Sequence, residues 1–98
     1  MNNSDDWGKD PSVRMMRRIF RRMETAQKLL LEGLNISPFD VRLRRWREKA
    51  RELFEDALAK GARSGVIVDE DKACDVYINA LSKIMSADGI NIPKELLP

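Results

Sequence analysis

The chain has 98 residues and a formal net charge of +2, and 43% of its residues are hydrophobic. It holds one cysteine and no histidine, which excludes an internal disulfide and removes both the commonest general base and the commonest neutral metal ligand. No apolar run approaches the roughly 18–20 residues of a membrane span, and the N-terminus lacks the basic and apolar parts of a signal peptide. We therefore expect one cytoplasmic domain with no membrane contact, no cofactor, no metal and no enzymatic activity.

The N-terminal segment differs in character from the rest of the chain. Residues 1–10 are polar and predict a disordered tail, so the folded domain is expected at residues 11–98. Trp7 is the exception in this tail. Its ring either folds back onto the domain or anchors a partner.

The first helix is predicted at residues 12–34. Asp10 suits the N-cap and Pro11 the first helical position. The apolar residues cover an arc about 200° wide, broader than the roughly 100° stripe of a simple surface helix. They are Val13, Met16, Ile19, Phe20, Met23, Ala26, Leu30, Leu31 and Leu34. An arc of this width favours self-association or docking on a helical partner. The alternative is that Trp7 and the C-terminal residues Ile90, Ile92, Leu96 and Leu97 cover the surplus.

The second helix is predicted at residues 38–60 and has signals at both ends. Ser37 is the expected N-cap, Pro38 suits the first helical position, and Asp40 completes a capping-box spacing. Gly61 fits the left-handed position that follows a helix. The apolar stripe between these ends consists of Phe39, Leu43, Trp46, Ala50, Leu53, Phe54, Ala57 and Leu58.

The short loop Asn35-Ile36 between these helices predicts an antiparallel hairpin. In such a hairpin, the arginines near the start of the first helix lie beside Glu52, Glu55 and Asp56. Ion pairs across the hairpin would then neutralise many of these arginines, at about a few tenths of a kcal/mol each.

The third helix is predicted at residues 69–87. It begins at Asp69, carries acids in its first turn as the helix dipole favours, and stops at Asp88-Gly89. The β-branched residues 66–68 before it can form a short strand or an extended linker. The fold prediction is all-α: a small antiparallel bundle of three main helices plus a short C-terminal helical turn.

Four arginines crowd the first turns of the second helix, namely Arg42, Arg44, Arg45 and Arg47. Their position opposes the helix dipole, which favours acids there by roughly 0.3–1 kcal/mol per well-placed charge. Arginine is suited to bidentate contacts with carboxylates and phosphates. Together with Lys28, these arginines predict a basic patch that binds an acidic protein surface or a phosphate-bearing ligand. The alternative is an ordinary solvated surface.

Two further features bear on chemistry. Cys74 lies on the apolar side of the third helix, which predicts a small core residue rather than a reactive thiol. The segment Asp88–Glu95 holds oxygen ligands but lacks the further acids that a calcium or magnesium site needs. A helix stop followed by a turn is therefore favoured over metal binding.

These observations predict a non-enzymatic protein–protein interaction module, a small adaptor or assembly subunit. The expected partner is another protein with an acidic or helical surface, or a second copy of the chain. The alternative function is nucleic-acid binding, with phosphates contacting arginines of the first two helices. The residues of the first helix in that alternative are Arg14, Arg18, Arg21 and Arg22.

Overall fold

Three α-helices and a short 3-10 turn form the described part of the chain, residues 11–65 and 69–98 of a computed structural model. The elements are α1 (Pro11–Gly33), α2 (Leu43–Arg63), α3 (Glu70–Ala87) and the C-terminal turn (Lys94–Leu96). No strand occurs within these ranges, so the predicted all-α class and the C-terminal turn are confirmed. The expectations for residues 1–10 and 66–68 lie outside the described residues.

α1 ends in a Schellman motif built around Asn35. Asn35 has a φ of +57°, in the left-handed region. Its N–H donates to the carbonyl of Glu32 at 3.1 Å, and the N–H of Ile36 donates to the carbonyl of Leu31 at 2.9 Å. These bonds satisfy carbonyls that the last helical turn leaves open, and they reverse the direction of the chain.

α2 begins at Leu43, so the predicted start at Pro38 is wrong. The Ser37 hydroxyl accepts from the N–H of Phe39 at 3.0 Å, and the Asp40 carboxylate accepts from the N–H of Arg42 at 2.9 Å. Side chains expected to cap a helix therefore close two successive turns instead, a local bonding mode open to serine and aspartate. As a result, Phe39 leaves the apolar stripe and is 89% exposed.

α2 also ends later than predicted, because it continues through Gly61 to Arg63. Ser64 is the C-cap, with its N–H donating to the carbonyls of Lys60 and Gly61 at 3.1 Å. The left-handed conformation falls on Gly65, which has a φ of +74°. The chain thus holds a second glycine four residues on that ends the helix, and Gly61 serves as an ordinary helical residue.

α3 has the two ends that its sequence predicts. The Asp69 carboxylate caps the helix by accepting from the N–H of Lys72 at 2.8 Å. At the other end, Gly89 has a φ of +91°, and the N–H of Ile90 donates to the carbonyl of Met85 at 3.1 Å. The helix stop at Asp88-Gly89 is therefore a Schellman motif.

α3 is the central helix of an up-down-up arrangement. Gln27 of α1 contacts Tyr77, and Arg22, five residues earlier, contacts Asp71, so α1 and α3 run in parallel. α2 runs antiparallel to both of them. α3 packs along both other helices, whereas the backbones of α1 and α2 approach each other little. The expected hairpin is therefore held together mainly through α3.

The core lies along α3 and takes residues from all three helices. It consists of Ile19, Met23, Leu30, Leu31, Leu43, Trp46, Ala50, Phe54, Ala73, Cys74, Tyr77, Ile78, Ala80, Leu81 and Met85. The C-terminal turn covers one end of the bundle, because a Cβ at Gly33 would lie only 2.7 Å from a δ carbon of Leu96. Met16 and Leu53, both placed on apolar stripes by their spacing, are exposed.

The ion pairs of Arg18 and Arg22 on α1 differ from those predicted. Arg18 donates from Nε to a Glu70 carboxylate oxygen at 2.5 Å, and Arg22 pairs with Asp71 and, at 3.7 Å, with Glu70. These two arginines thus pair with the start of α3 and not with the acidic residues of α2. The parallel packing of α1 on α3 explains the change, since it brings the acidic first turn of α3 beside the middle of α1.

Candidate functional site

A groove opens between α1 and α2 because the two helices are held apart by α3. This α1–α2 groove has a volume of about 380 Å³. Residues from all three helices and the α1–α2 connection line it: Phe20, Met23, Glu24, Gln27, Pro38, Phe39, Asp40, Leu43, Arg44, Arg47, Glu48, Arg51 and Tyr77. Its lining combines aromatic and aliphatic surface with six charged side chains, so both apolar and ionic contacts are open to a ligand.

The floor of the groove is a buried hydrogen bond between α3 and α1. The Tyr77 hydroxyl donates to Gln27 Oε1 at 2.5 Å, and both side chains are buried. Burial raises the pKa of Tyr77, and the positive charges of Arg47 and Arg51 oppose that shift. Phe54 packs edge-on against the Tyr77 ring, with centroids 6.1 Å apart. The floor is therefore a rigid polar contact set in apolar surroundings.

The α2 wall of the groove carries Arg44, Arg47 and Arg51. These positions are three and four residues apart, which places them on one face of the helix. The guanidinium of Arg51 stacks over the Phe20 ring at 4.9 Å, which joins the wall to α1. Arg44 lies 3.4 Å from Glu48, and its side chain remains 90% exposed. The wall thus presents guanidinium groups that are largely open to a ligand.

The mouth of the groove is formed by an ordered loop that exposes apolar side chains. Phe39 and Val41 are 89% and 92% exposed. Between them, Asp40 accepts from the Arg42 side chain at 3.1 Å and 2.9 Å. These bonds lower the pKa of Asp40 to about 2. The loop is thereby fixed by its own ion pair while two large apolar groups point into solvent.

The structure divides the predicted basic patch. Arg44 and Arg47 line the groove, but Arg42 is bound to Asp40 and its guanidinium stacks on the Trp46 ring at 4.7 Å. Arg45 pairs with Asp88. Lys28 is exposed on α1 and is not part of the groove lining.

Arg51 belongs to the groove but was missing from the predicted patch. The signal was present in the sequence, since Arg51 lies seven residues after Arg44 and four after Arg47. Those separations put the three side chains on one face of a helix. Grouping arginines by helical face would have included Arg51, whereas grouping them by closeness in sequence did not.

The arginines of the alternative nucleic-acid surface lie in the first half of α1. Arg18 and Arg22 are held by Glu70 and Asp71, and the pKa of Arg22 is raised chiefly by the charge of Asp71. Arg14, Arg18, Arg21 and Arg22 are all exposed. Arg18 and Arg22 therefore face carboxylates that compete with phosphate.

Asp88 joins α2 to the end of α3. Its carboxylate accepts from the indole N–H of Trp46 at 2.5 Å and from Arg45. The bond from Trp46 is the main cause of a lowered pKa at Asp88. This carboxylate, the first of the candidate Asp88–Glu95 metal segment, is therefore already engaged. Across residues 11–65 and 69–98, no three acidic or cysteine side chains are grouped to hold a metal ion.

A second, shallower groove lies between α1, α3 and the C-terminal residues. It measures about 350 Å³ and is lined by Ala26, Leu29, Leu30, Cys74, Asp75, Ile78, Glu95, Leu96, Leu97 and Pro98. Cys74 is buried, its thiol lies 3.7 Å from the carbonyl of Arg22, and burial raises the pKa of the thiol. The cysteine is therefore a core residue, as its place on the apolar side of the helix predicts.

No protein-family model matches the chain, and no curated protein or solved structure is significantly similar to it. None of the helices in the described segments is long and apolar enough to cross a membrane.

Proposed function

We propose that the chain is a non-enzymatic protein-interaction module that binds an acidic segment of a partner protein in the α1–α2 groove. The observation that carries the proposal is the wall of three arginines, Arg44, Arg47 and Arg51, beside a groove of mixed apolar and charged lining with an exposed phenylalanine at its mouth. The lone cysteine fits a reducing compartment, and we propose that binding takes place in the cytoplasm.

The chemistry of the groove suits a partner with carboxylates next to an apolar side chain. Guanidinium groups bind carboxylates in a bidentate manner, and arginine and aromatic residues dominate the energy of protein interfaces. Hydrogen bonds to Ser37 and Asp40 hold the backbone of this loop, so a partner that covers Phe39 orders little further backbone. Glu24 and Glu48 in the lining disfavour a partner segment that is acidic throughout.

The test uses a photo-crosslinking amino acid in place of Phe39 in the full chain, expressed in its native cells. We expect a captured partner whose contact segment contains acidic residues, and no capture from the same amino acid at Asn79, an exposed position on α3. A peptide of the captured segment should then bind the purified chain. Its affinity should fall about tenfold or more in the Arg47→Glu and Arg51→Glu variants and stay unchanged in Lys83→Glu. A contact segment without acids, or equal affinity in all variants, would refute the proposal.

The nucleic-acid alternative has weaker support because Arg18 and Arg22 already face carboxylates. A labelled oligonucleotide provides the comparison. Salt-dependent binding that is lost in the Arg14→Glu and Arg21→Glu variants, while the acidic peptide still binds them, would favour that function over protein binding.

A further inference from the structure

Two lines of side chains continue the α1–α2 groove toward the start of α1. On α2, the face that carries Arg51 continues by steps of four and three residues to Glu55 and Leu58. On α1, a step of four residues leads back from Phe20 to Met16. Glu55 is exposed and Met16 is 37% exposed, so a ligand has access to this extension. Because α2 runs antiparallel to α1, both lines lead toward the residue at which α1 begins.

The residues just before α1 carry the chemistry that suits this groove. We call residues 5–10, with the sequence DDWGKD, the pre-α1 segment. Its two carboxylates, on Asp5 and Asp6, stand next to the large apolar ring of Trp7. Lys9 keeps the segment from being acidic throughout, a composition that the glutamates of the groove lining would disfavour. The segment therefore belongs to the class of ligand that the groove is proposed to bind.

The nearer end of the groove lies close to the start of α1. α1 begins at Pro11, and a rise of about 1.5 Å per residue places Met16 about 7–8 Å and Phe20 about 13–14 Å along the helix. The guanidinium of Arg51 stacks over the Phe20 ring at 4.9 Å, so this end of the arginine wall lies beside Phe20. A segment that folds back from Pro11 therefore meets Met16 first, and the stacked pair of Phe20 and Arg51 next.

The pre-α1 segment is long enough to cover this distance. At about 3.3 Å per extended residue, three of its residues lie within about 13 Å, about 17 Å and about 20 Å of Pro11, namely Trp7, Asp6 and Asp5. Trp7 therefore reaches Met16, and the two aspartates reach Arg51. A few ångströms remain for reversing the chain, and Gly8 tolerates the backbone conformations of a tight turn.

The order of charges along the segment matches the order along α2. Away from the start of α1, the segment presents Lys9 and then its aspartates, whereas α2 presents Glu55 and then Arg51. Opposite charges therefore meet at both points. The α3 side of α1 offers no such match, because Glu70 and Asp71 make the first turn of α3 acidic and already hold two arginines of α1. Repulsion by these acids favours the groove side for the aspartates.

We infer that the pre-α1 segment folds back along α1 and occupies this end of the groove when no partner is bound. The inference rests on the proposed function, because the segment has the composition of the proposed partner segment and takes its place. Trp7 covers Met16 and the edge of the Phe20 ring, while the aspartates pair with Arg51. The segment is thus an intramolecular competitor that a partner must displace.

Tethering makes even a weak contact of this kind effective. A short connection holds the segment near the groove at an effective concentration of about 1 mM. An intrinsic dissociation constant of about 0.1 mM then leaves only about one groove in ten open. The apparent affinity of a partner falls by the same factor, about tenfold.

Quenching of tryptophan fluorescence by acrylamide tests the contact in the full chain. Trp46 is fully buried, so changes in quenching report on Trp7, and a Trp7→Phe variant gives the signal of Trp46 alone. Arg51→Glu should raise the quenching constant of Trp7 about threefold or more, because most chains then hold the segment free. Lys83→Glu on α3 should leave it unchanged, and circular dichroism should show the same helix content in all variants.

A charge swap separates direct pairing from damage to the groove. Asp5→Arg with Asp6→Arg should free Trp7 as Arg51→Glu does. The chain that combines all three substitutions should shield Trp7 again, because opposite charges are restored. Continued exposure of Trp7 in the combined variant would contradict the pairing.

A labelled peptide of residues 1–10 tests the competition. It should bind a full chain that carries Asp5→Asn, Asp6→Asn and Trp7→Ala with a dissociation constant of about 0.1 mM, and the natural chain about tenfold more weakly. An Asn3→Ala chain should behave as the natural one. Equal binding to all three chains would show that the segment does not occupy the groove.

The outcomes distinguish this inference from the proposed function. If Trp7 is equally quenched in the natural and Arg51→Glu chains and the peptide does not bind, the inference falls, while crosslinking at position 39 still decides the proposed function. If the segment binds but no partner is ever captured, the proposed function falls and the segment itself is the ligand of the groove. Shielding of Trp7 that appears only as the chain is concentrated would place the segment on a second copy and overturn the intramolecular contact.

Discussion

At the scale of single residues, the bond between Tyr77 and Gln27 decides the shape of the groove floor. It joins α3 to α1 in the lining of the groove, and both of its side chains are buried. A buried polar group that loses its partner costs more than the hydrogen bond contributed, because it cannot return to water. This bond therefore favours one particular spacing of α1 and α3, which apolar packing alone would not do.

Replacing Tyr77 with phenylalanine should lower the free energy of unfolding by about 1–2 kcal/mol, since the amide oxygen of Gln27 loses its donor. Urea denaturation followed by circular dichroism measures the change. The double variant Tyr77→Phe/Gln27→Leu should recover much of the loss, because it removes both polar partners. A single variant as stable as the natural chain would show that water satisfies Gln27.

At the scale of elements, the connection between α1 and α2 depends on one residue in an uncommon conformation. Asn35 holds a φ of +57°, where asparagine and glycine are tolerated and residues with other side chains are strained. Asn35→Ala should destabilise the fold by about 1 kcal/mol, and Asn35→Gly should be neutral or slightly stabilising. Thermal unfolding of the two variants measures this difference. Equal stability of the alanine and glycine variants would mean that the turn relaxes to another conformation.

The helices could be predicted because their apolar residues recur at helical spacing, and the ends of α3 because Asp69 and Gly89 are strong local signals. The start of α2 could not be predicted from the sequence, since Ser37 and Asp40 fit both a capping box and a pair of turns. The choice between these depends on backbone geometry. Among the groove residues, Arg44 and Arg47 could be predicted as binding residues because guanidinium groups suit carboxylate and phosphate ligands. The ion pair of Arg45 could not be predicted, because its partner Asp88 lies in a distant part of the chain.

At the scale of the whole molecule, α3 connects elements that contact each other little. Eight of its 18 residues are buried, against four of 21 in α2. Unfolding of α3 therefore removes the packing surface of both neighbours, whereas α1 or α2 can open at one end alone. Hydrogen exchange should show the slowest amides in α3, around Tyr77 and Leu81, and faster exchange in the first turns of α1. Equal protection in all three helices would indicate that they open only together.

The response of the bundle to acid should depend on Asp88, which ties the end of α3 to Trp46 and Arg45 of α2. Its pKa is lowered in the folded chain, first by the bond from Trp46, so its ionised form stabilises the fold. Such a contribution is complete above the unfolded-state pKa, near 3.8, and is lost as the pH falls through the lower folded-state value. Asp40, with a folded pKa of about 2, acts in the same direction.

Asp88→Asn should therefore be less stable than the natural chain near neutral pH. The gap should narrow below about pH 4 and close near the folded-state pKa, because the natural carboxyl is then also neutral. Urea denaturation of both chains across this range measures the gap directly. A gap that persists in strong acid would mean that Asp88 acts through the shape of its side chain. If the difference in stability disappears in acid, the contact between α2 and α3 depends on the ionised carboxylate of Asp88.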